Sequence, residues 1–331
     1  MKCTNKRMAL HHRIVAGLLS LLMIIGITGC GIDDYSVPYG SDGAPTVNGN
    51  IGYSGSRADA FSKNLCVYEG DVLGDGSLDM SQCESAVLFD VNNSEVIYSK
   101  NAFEQLYPAS ITKIMTALVA IKHGDMDQVL TATEAVIINE AGAQLAGIKV
   151  GDTMTLHQAL IIMLLYSAND VSMLIADNLG GGDYNKFVDM MNEEAKSLGA
   201  TGTHFMNPHG LSNPEHYTTA YDLYLIFNEC IKYEEFVEII SMSTFDTTYK
   251  NAYGQDVNLS VKNTNGYISG TQSAPANATV IGGKTGTTSA AGHCLVILSK
   301  DINGAPFISV VLKSASTDSL YDNMNSLLEN L

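Results

Sequence analysis

The sequence predicts an α+β fold, within the broad α/β class, in which an antiparallel sheet flanked by helices carries an inserted all-helical lobe. Two alternating apolar runs joined by Asn92-Asn93-Ser94 are typical of a β-hairpin. Three further apolar runs near the C-terminal end, "ATVIGGKTG", "HCLVILSK" and "PFISVVLK", read as successive strands. Because the segment between these two groups reads as helices, we expect both ends of the domain to build one sheet.

The first 29 residues have the layout of a lipoprotein signal peptide. "MKCTNKRMALHHR" carries four basic residues and no acid, and the apolar run after it is shorter than the roughly 20 residues that span a bilayer. "ITGC", which ends at Cys30, resembles the bacterial lipobox, in which the cysteine is lipidated. We therefore expect an extracytoplasmic protein anchored through Cys30 to the outer face of the bacterial cytoplasmic membrane. An uncleaved N-terminal anchor is the alternative.

The residues that follow the signal divide into a tether and a folded domain. Residues 30–83 are rich in Gly, Ser, Asp and Asn, so we interpret them as a flexible tether. Residues 84–331 are long enough for one sizeable core or two packed lobes. Loss of the four basic residues of the signal takes the formal net charge from −17 to −21. Such an acidic surface excludes nucleic acid and anionic lipid headgroups as partners.

Besides Cys30, four cysteines remain in the tether and the folded domain. Cys66 and Cys83 are close enough in sequence for a local disulfide, which an exported protein can hold. Cys230 and Cys294 lie in apolar runs, where free buried thiols are at least as expected as a disulfide. The chain has no C-x-x-C and no metal-ligand spacing around its histidines, so we predict no metal site and no cofactor.

Helices fill the middle of the domain in a regular order. The first follows Pro108 and stops at Gly124, and the second opens with Thr155 and Gln158 at capping-box spacing. Further helices are predicted at residues 170–179, 184–198 and 218–233, and a last helix at residues 317–331. Asp170 is expected to cap its helix, and His209, His216 and His293 to serve loop packing.

Ser110 and Lys113 lie one helical turn apart on one face of the first helix. The surrounding residues are apolar, and burial lowers the pKa of a lysine, so its amine can act as the base that activates the serine. Ser110 at a helix N-terminus would also favour a developing negative charge. A Ser-x-x-Lys occurs about once by chance in a chain of this length, and a capping serine with a surface lysine is the alternative.

Two more motifs complete a set. Ser167-Ala168-Asn169 follows the second buried helix, and Lys284-Thr285-Gly286 ends an apolar strand after Gly282-Gly283. Ser-x-Asn occurs elsewhere in the chain and is weak alone, whereas Lys-Thr-Gly occurs once. The three motifs in this order are the signature of penicillin-binding proteins and class A β-lactamases.

The chain is similar to the penicillin-binding serine D-Ala-D-Ala carboxypeptidases of low molecular weight, of the peptidase S11 type. "PASITKIMTAL", "SAND", "KTGTT", "NPHGL" and "HYTTAYDL" carry the resemblance, which runs from Glu84 to the C-terminus. It implies a β-lactamase/transpeptidase-like fold, peptidoglycan stem peptides as substrates and β-lactam antibiotics as inhibitors.

The resemblance also implies roles for individual residues. Ser110 would attack the penultimate D-Ala, Lys113 would take its proton, Ser167 would relay a proton, and Asn169 would hold the substrate amide. Lys284, Thr285, Gly286 and Thr287 would bind the substrate, whose oxyanion would lie between the backbone N–H groups of Ser110 and Thr287.

The chain departs from the family pattern at one point. Many members have an arginine after the last strand that binds the substrate carboxylate, whereas no arginine follows Arg57 here. Lys284 with neighbouring hydroxyls, or Lys313, would have to bind the substrate carboxylate instead. Endopeptidase action on cross-links therefore stays an open alternative. A β-lactam sensor with little turnover is a further alternative. The stretch "LGATGTHFMNPHGL" has no acid of the kind that a class A β-lactamase needs for deacylation, and Glu193 and Glu194 before it fit a solvated helix face.

Overall fold

The computed structural model describes Cys66, residues 68–74 and residues 78–331, all within one compact unit, Ser62–Leu331. The predicted signal peptide, Cys30 and most of the predicted tether lie outside the described residues. No helix in the described part is long and apolar enough to cross a membrane.

A five-stranded antiparallel sheet is built from both ends of the domain, as the sequence predicts. Its strand order is β2-β1-β9-β8-β7. The strands are β1 (Ser85–Asp90), β2 (Glu95–Lys100), β7 (Ala278–Thr288), β8 (Gly292–Asp301) and β9 (Pro306–Ser314). Strand β1 pairs with β9, so the N-terminal hairpin and the C-terminal strands form one continuous sheet. The strand that carries Lys284 is at one edge, where a further strand can add to it.

Helices cover both faces of this sheet and fill the inserted lobe. They are α1 (Thr112–His123), α2 (Leu156–Tyr166), α3 (Asn169–Leu179), α4 (Tyr184–Ser197), α5 (Ala220–Cys230), α6 (Glu234–Ser241), the short α7 (Gly266–Ser269) and α8 (Thr317–Leu328). Alternate residues of the strands face two separate cores, because successive side chains of a strand point to opposite faces. Leu88 packs in the core under α8, and its neighbour Phe89 packs in the larger core with α1 and α5.

Helix α2 crosses the larger core with apolar residues all round, which matches its predicted burial. It begins at the predicted capping box, in which Thr155 and Gln158 each accept the other's backbone N–H. Ser167 ends the helix in the left-handed region, with a φ of 68°. That turn separates α2 from α3, and it points the Ser167 and Asn169 side chains at the same cleft.

The inserted lobe is not all helical, contrary to our expectation. It also contains a four-stranded sheet, of order β3-β4-β5-β6. The strands are β3 (Val129–Thr131), β4 (Thr153–Thr155), β5 (Thr244–Lys250) and β6 (Asp256–Lys262). β5 and β6 are rich in Thr and polar residues, with one face exposed, so their apolar signal is weak.

Cys66 and Cys83 do not form the disulfide that the sequence allows. Cys66 is buried in the larger core, where its carbonyl accepts the Tyr221 hydroxyl, whereas Cys83 is buried in the core under α8. The two thiols thus lie in different cores. Burial raises the pKa of each to about 11, so both thiols stay protonated.

The described part of the predicted tether packs against the domain. Val72 forms a β-bridge with Ser99, and Met80 is buried in the core under α8. Lys100 Nζ donates to the carbonyls of Met80 and Cys83 at 2.8 and 2.6 Å. Gly and polar residues dominate this segment, and its few apolar side chains are enough to hold it.

Candidate active site

A strained turn presents Ser110 just before α1. A 3-10 turn, Ala109–Ile111, precedes the helix, and Ala109 has a φ of 48°, a left-handed value that costs a non-glycine residue about 1–2 kcal/mol. Thr112 Oγ1 donates to the Ala109 carbonyl at 2.8 Å. Gly210 approaches this turn so closely that a Cβ on it would lie 1.8 Å from the Ala109 oxygen. The turn is therefore fixed on both sides, which sets the direction of the Ser110 hydroxyl.

Lys113 is completely buried behind Ser110. Its Nζ lies 2.9 Å from Ser110 Oγ, 2.6 Å from Asn169 Oδ1 and 2.7 Å from the carbonyl oxygen of His209. Burial, and secondly the charge of Lys284, lower the pKa of Lys113 well below its usual value, while Asp170 opposes this. The environment thus favours the uncharged amine.

The three contacts of Lys113 can all be made by an uncharged amine, the form that its burial favours. The amide oxygen of Asn169 and the carbonyl of His209 can only accept, so they use both N–H bonds of a neutral amine. The remaining lone pair then faces the Ser110 hydroxyl, which can donate its proton. This is the arrangement that a general base needs with its nucleophile.

Lys284 and Ser167 meet at the cleft, close enough to Lys113 for the charge of Lys284 to affect it. Lys284 Nζ donates to Ser167 Oγ and to the Thr285 carbonyl, each at 2.9 Å. The lysine side chain is 1% exposed, and burial lowers its pKa to about 7. Ser167 therefore connects a lysine whose charge changes near neutral pH to the space in front of Ser110.

Strand β7 lies directly against the Ser110 turn, and glycine makes this possible. A Cβ on Gly286 would lie 3.0 Å from the backbone nitrogens of Ser110 and Ile111 and 2.9 Å from the Pro108 oxygen. Any larger residue would push the strand away from the turn. Residue 286 of β7 is thus held against the backbone of Ser110 and Ile111.

The three motifs border one cleft of about 370 Å³. Its lining consists of Ser110, Gly142, Ala143, Gln144, Ser167, Asn169, Gly210, Leu211, Thr264, Thr285, Gly286, Thr287, Thr288, His293, Thr317, Leu320 and Tyr321. The lining, in the part of the chain that the structure describes, contains no Asp or Glu. Glu194 is turned away, since its carboxylate pairs with Lys122 at 2.8 Å.

Lys313 does not border this cleft, contrary to one of the two expectations for carboxylate binding. It lines a separate cavity of about 310 Å³ together with Tyr107 and Tyr217. Its Nζ lies 3.5 Å from Glu84 Oε2. In this conformation the Lys313 side chain therefore points away from the cleft beside Ser110.

Asp170 organises the cleft wall and is not the helix cap that we expected. The N-cap of α3 is Ala168, which makes no side-chain bond. The buried Asp170 carboxylate accepts the backbone N–H groups of Ala146, Gly147 and Ile148, at 2.8–3.2 Å, besides that of Val171. The loop that it holds includes residues 142–144 of the cleft lining. Sequence inspection missed this role because the partners lie 22–24 residues away.

His216 also supports the nucleophile turn. Its Nε2 lies 2.7 Å from Thr112 Oγ1, and its Nδ1 accepts the Met206 N–H at 3.0 Å. The Thr112 hydroxyl donates its only proton to Ala109, so Nε2 must carry the proton of a neutral ring. Burial lowers the pKa of His216 to about 3, which keeps the ring neutral. Both this ring and the His209 carbonyl act through loop contacts that no local sequence signal reveals.

Comparisons with known proteins agree with this geometry. The D-alanyl-D-alanine carboxypeptidase model of the peptidase S11 family matches residues 76–316. D-alanyl-D-alanine carboxypeptidase DacF of Bacillus subtilis is 34% identical over 228 residues, which are 67% of this chain and 55% of that protein. The chain thus spans about half the length of this relative.

An endopeptidase and a transpeptidase are also similar to this chain. D-alanyl-D-alanine endopeptidase of Pseudomonas aeruginosa is 32% identical over 232 residues, 69% of this chain and 70% of that protein. The solved structure of the Streptomyces K15 DD-transpeptidase matches with a TM-score of 0.69 and 26% identity, covering 75% of this chain and 96% of that one. With the family model matched over most of the domain, the chain belongs to the D-alanyl-D-alanine carboxypeptidase family, peptidase S11.

Proposed function

We propose that this chain is a serine-type D-Ala-D-Ala carboxypeptidase, which removes the terminal D-alanine from peptidoglycan stem pentapeptides. The observation that carries the proposal is the 2.9 Å contact between Lys113 Nζ and Ser110 Oγ, behind which the lysine is fully buried. A buried lysine that touches a serine at the edge of an open cleft has the geometry of a base beside its nucleophile. Family membership supports the substrate class.

Acylation starts with transfer of the Ser110 proton to the Lys113 amine. The serine oxygen bonds to the carbonyl carbon of the penultimate D-alanine, and the carbonyl oxygen becomes an oxyanion. The backbone N–H groups of Ser110 and Thr287 stabilise that charge, because donors fixed in advance need no rearrangement. The bond from this carbon to the terminal D-alanine nitrogen then breaks. Ser167 relays a proton to the leaving amine, and the peptide stays attached to Ser110 as an ester.

The strand edge and its hydroxyls hold the substrate during this step. The substrate backbone pairs with the exposed edge of β7, a case of strand addition. The hydroxyls of Thr285 and Thr287 face the terminal carboxylate, and Gly286 lets the strand approach the nucleophile. Lys284 adds positive potential from behind, and its pKa of about 7 leaves part of that charge at neutral pH. Asn169 holds both the substrate amide and Lys113.

Water completes the reaction by hydrolysing the acyl-enzyme. A β-lactam presents an amide and a carboxylate like those of D-Ala-D-Ala, so it acylates Ser110 in the same way. The lining of the cleft, over the described residues, has no carboxylate that could activate water against the β-lactam adduct. We therefore expect stable penicillin adducts rather than rapid penicillin hydrolysis.

DD-endopeptidase action on cross-links is the second candidate. Two observations favour it: the 32% identity to the Pseudomonas aeruginosa endopeptidase, and the absence of arginine after Arg57. An endopeptidase cuts the same D-alanyl bond within a cross-link, and its leaving group is a longer peptide amine. The acyl-enzyme on Ser110 is common to both activities.

The anchor is a separate part of the proposal. A lipid on Cys30 would hold the domain on the outer face of the cytoplasmic membrane, with residues up to the folded part as a tether. Metabolic labelling with radioactive palmitate in a bacterial host tests this part. We expect label in the full chain and none in the Cys30→Ala variant. Label that persists in the variant would refute the lipid site.

The enzymatic proposal is tested with a soluble form that lacks residues 1–30. It is incubated with a stem pentapeptide and with a cross-linked muropeptide dimer, and the products are identified by mass spectrometry. We expect the pentapeptide to lose one alanine, and Ser110→Ala to abolish the loss. Cleavage of the dimer alone would favour the endopeptidase. Stoichiometric acylation by penicillin without release of alanine from either substrate would make the protein a β-lactam sensor.

A further inference from the structure

The proposed function needs a group that recognises a free terminal carboxylate, and the inference below rests on that function. Lys113 lies behind Ser110, with its Nζ in contact with Ser110 Oγ, Asn169 Oδ1 and the His209 carbonyl oxygen. Lys284 is 1% exposed and donates to Ser167 and to a backbone carbonyl. Both lysines therefore act from behind the cleft surface. A direct donor to the carboxylate must come from the lining itself.

His293 is the basic side chain in the lining of this cleft, within the residues that the structure describes. It lies near the start of β8, where it pairs in register with Thr287 of β7. Side chains at directly paired positions lie about 4.5–5.5 Å apart at Cβ, so the imidazole is next to the Thr287 hydroxyl. The site thus combines hydroxyl donors with one imidazole at the same end of the cleft.

The second contact of His293 orients its ring for an anion. Nδ1 lies 3.3 Å from Thr317 Oγ1, at the start of α8. When Thr317 donates its hydroxyl proton to Nδ1, the other nitrogen carries the proton of the neutral ring. Nε2 is then a donor, as it also is in the charged form. Either state can give a hydrogen bond to a carboxylate oxygen.

We propose that His293 is a specificity-determining residue that binds the terminal carboxylate of the substrate, together with the hydroxyls of Thr285 and Thr287. Lys313, the other basic candidate, lines a different cavity and lies beside Glu84. The carboxylate-binding group therefore comes from the β7–β8 hairpin itself. In this assignment His293 binds the free carboxylate, whereas Ser110 and Lys113 carry out the acylation.

The test compares ligands that differ only in the carboxylate. Acylation rates with benzylpenicillin and with its methyl ester are measured by intact-protein mass for the wild type, His293→Leu and His293→Arg. Lys313→Gln is the matched control, since it removes a nearby positive charge outside the cleft. Release of D-alanine from a D-Ala-D-Ala peptide, and of D-alaninamide from its C-terminal amide, is measured in parallel.

We expect His293→Leu to slow acylation by the free acid about 10- to 100-fold, the usual effect of one hydrogen bond to a charged group. The rate with the ester should stay within about twofold of that of the wild type. His293→Arg should restore the preference for the acid, and Lys313→Gln should leave it unchanged.

Equal slowing with both ligands, or an unaffected rate with the acid, would overturn the assignment, as would selective loss of the acid preference in Lys313→Gln. Failure of the proposed function would be seen differently. In that case the wild type would be acylated by the penicillin with the same acid preference but would release neither D-alanine from the peptide nor D-alaninamide from its amide.

Discussion

Replacement of Asp170 by Asn is expected to loosen the cleft wall by removing half of the acceptors that hold it. The carboxylate accepts four backbone N–H groups, three of them from residues 146–148. Asn keeps one oxygen, and its NH2 group would face donors. Two N–H groups would then lose their acceptor in a buried place, at about 1–3 kcal/mol each. The expected loss is about 2–6 kcal/mol of unfolding free energy, or roughly 4–24 °C in Tm for a domain of this size.

Thermal unfolding and amide hydrogen exchange measure this effect, and Asp177→Asn is the matched control. Asp177 is buried on the same helix, and its carboxylate accepts the Thr133 hydroxyl at 2.7 Å. A hydroxyl can rotate to suit an amide, so the control should lose about 1 kcal/mol or less. In Asp170→Asn, exchange should accelerate first at residues 146–148, and penicillin acylation of Ser110 should slow. An unchanged Tm with unchanged exchange at these three amides would refute the reasoning.

Three further predictions concern the lysine pair, the close contact of β7 and the thiols. Lys284→Met removes the charge that, after burial, most lowers the pKa of Lys113. The pKa of Lys113 should therefore rise, and the pH of half-maximal penicillin acylation should move upward. An unchanged or lowered midpoint would contradict the coupling between the two lysines. Gly286→Ala places a methyl group 3.0 Å from the Ser110 nitrogen. The rate of acylation, measured by intact-protein mass, should fall about 100-fold, while the protein still unfolds cooperatively. A normal rate would show that β7 need not touch the Ser110 turn. Burial raises the pKa values of the four thiols, so they should resist iodoacetamide at pH 8 in the folded soluble form. In denaturant, four alkylations per chain are expected. Fewer alkylations in denaturant would indicate a disulfide.

Local patterns in the sequence predicted the parts of the site that short spacings define. One helical turn places Ser110 and Lys113 together, and the capping box at Thr155 marks the start of α2. The hairpin at the N-terminal end and the last three strands alternate strongly enough to be recognised. Burial of Lys113 was predictable because the residues around it are apolar. These features depend on neighbours within a few positions along the chain.

The features that the sequence did not reveal depend on distant partners. The His209 carbonyl meets Lys113 across 96 positions, and Lys284 meets Ser167 across 117. The second sheet was missed because β5 and β6 expose one face and carry few large apolar residues. Lys313 follows the last strand closely, yet the fold turns it into another cavity. Only the packed chain decides which of these groups reach the cleft.

The protonation state of Lys113 in the resting protein tests the central claim most directly. Lysines labelled with 13C at Cε are titrated by NMR in the soluble form, and the Lys113→Met variant identifies the resonance. Our account predicts that this amine loses its proton well below the ordinary pH for lysine, because burial and the charge of Lys284 both lower its pKa. If the Lys113 resonance instead shows that the amine loses its proton only above about pH 9, near the ordinary pKa of lysine, the claim that this amine takes the Ser110 proton would be contradicted.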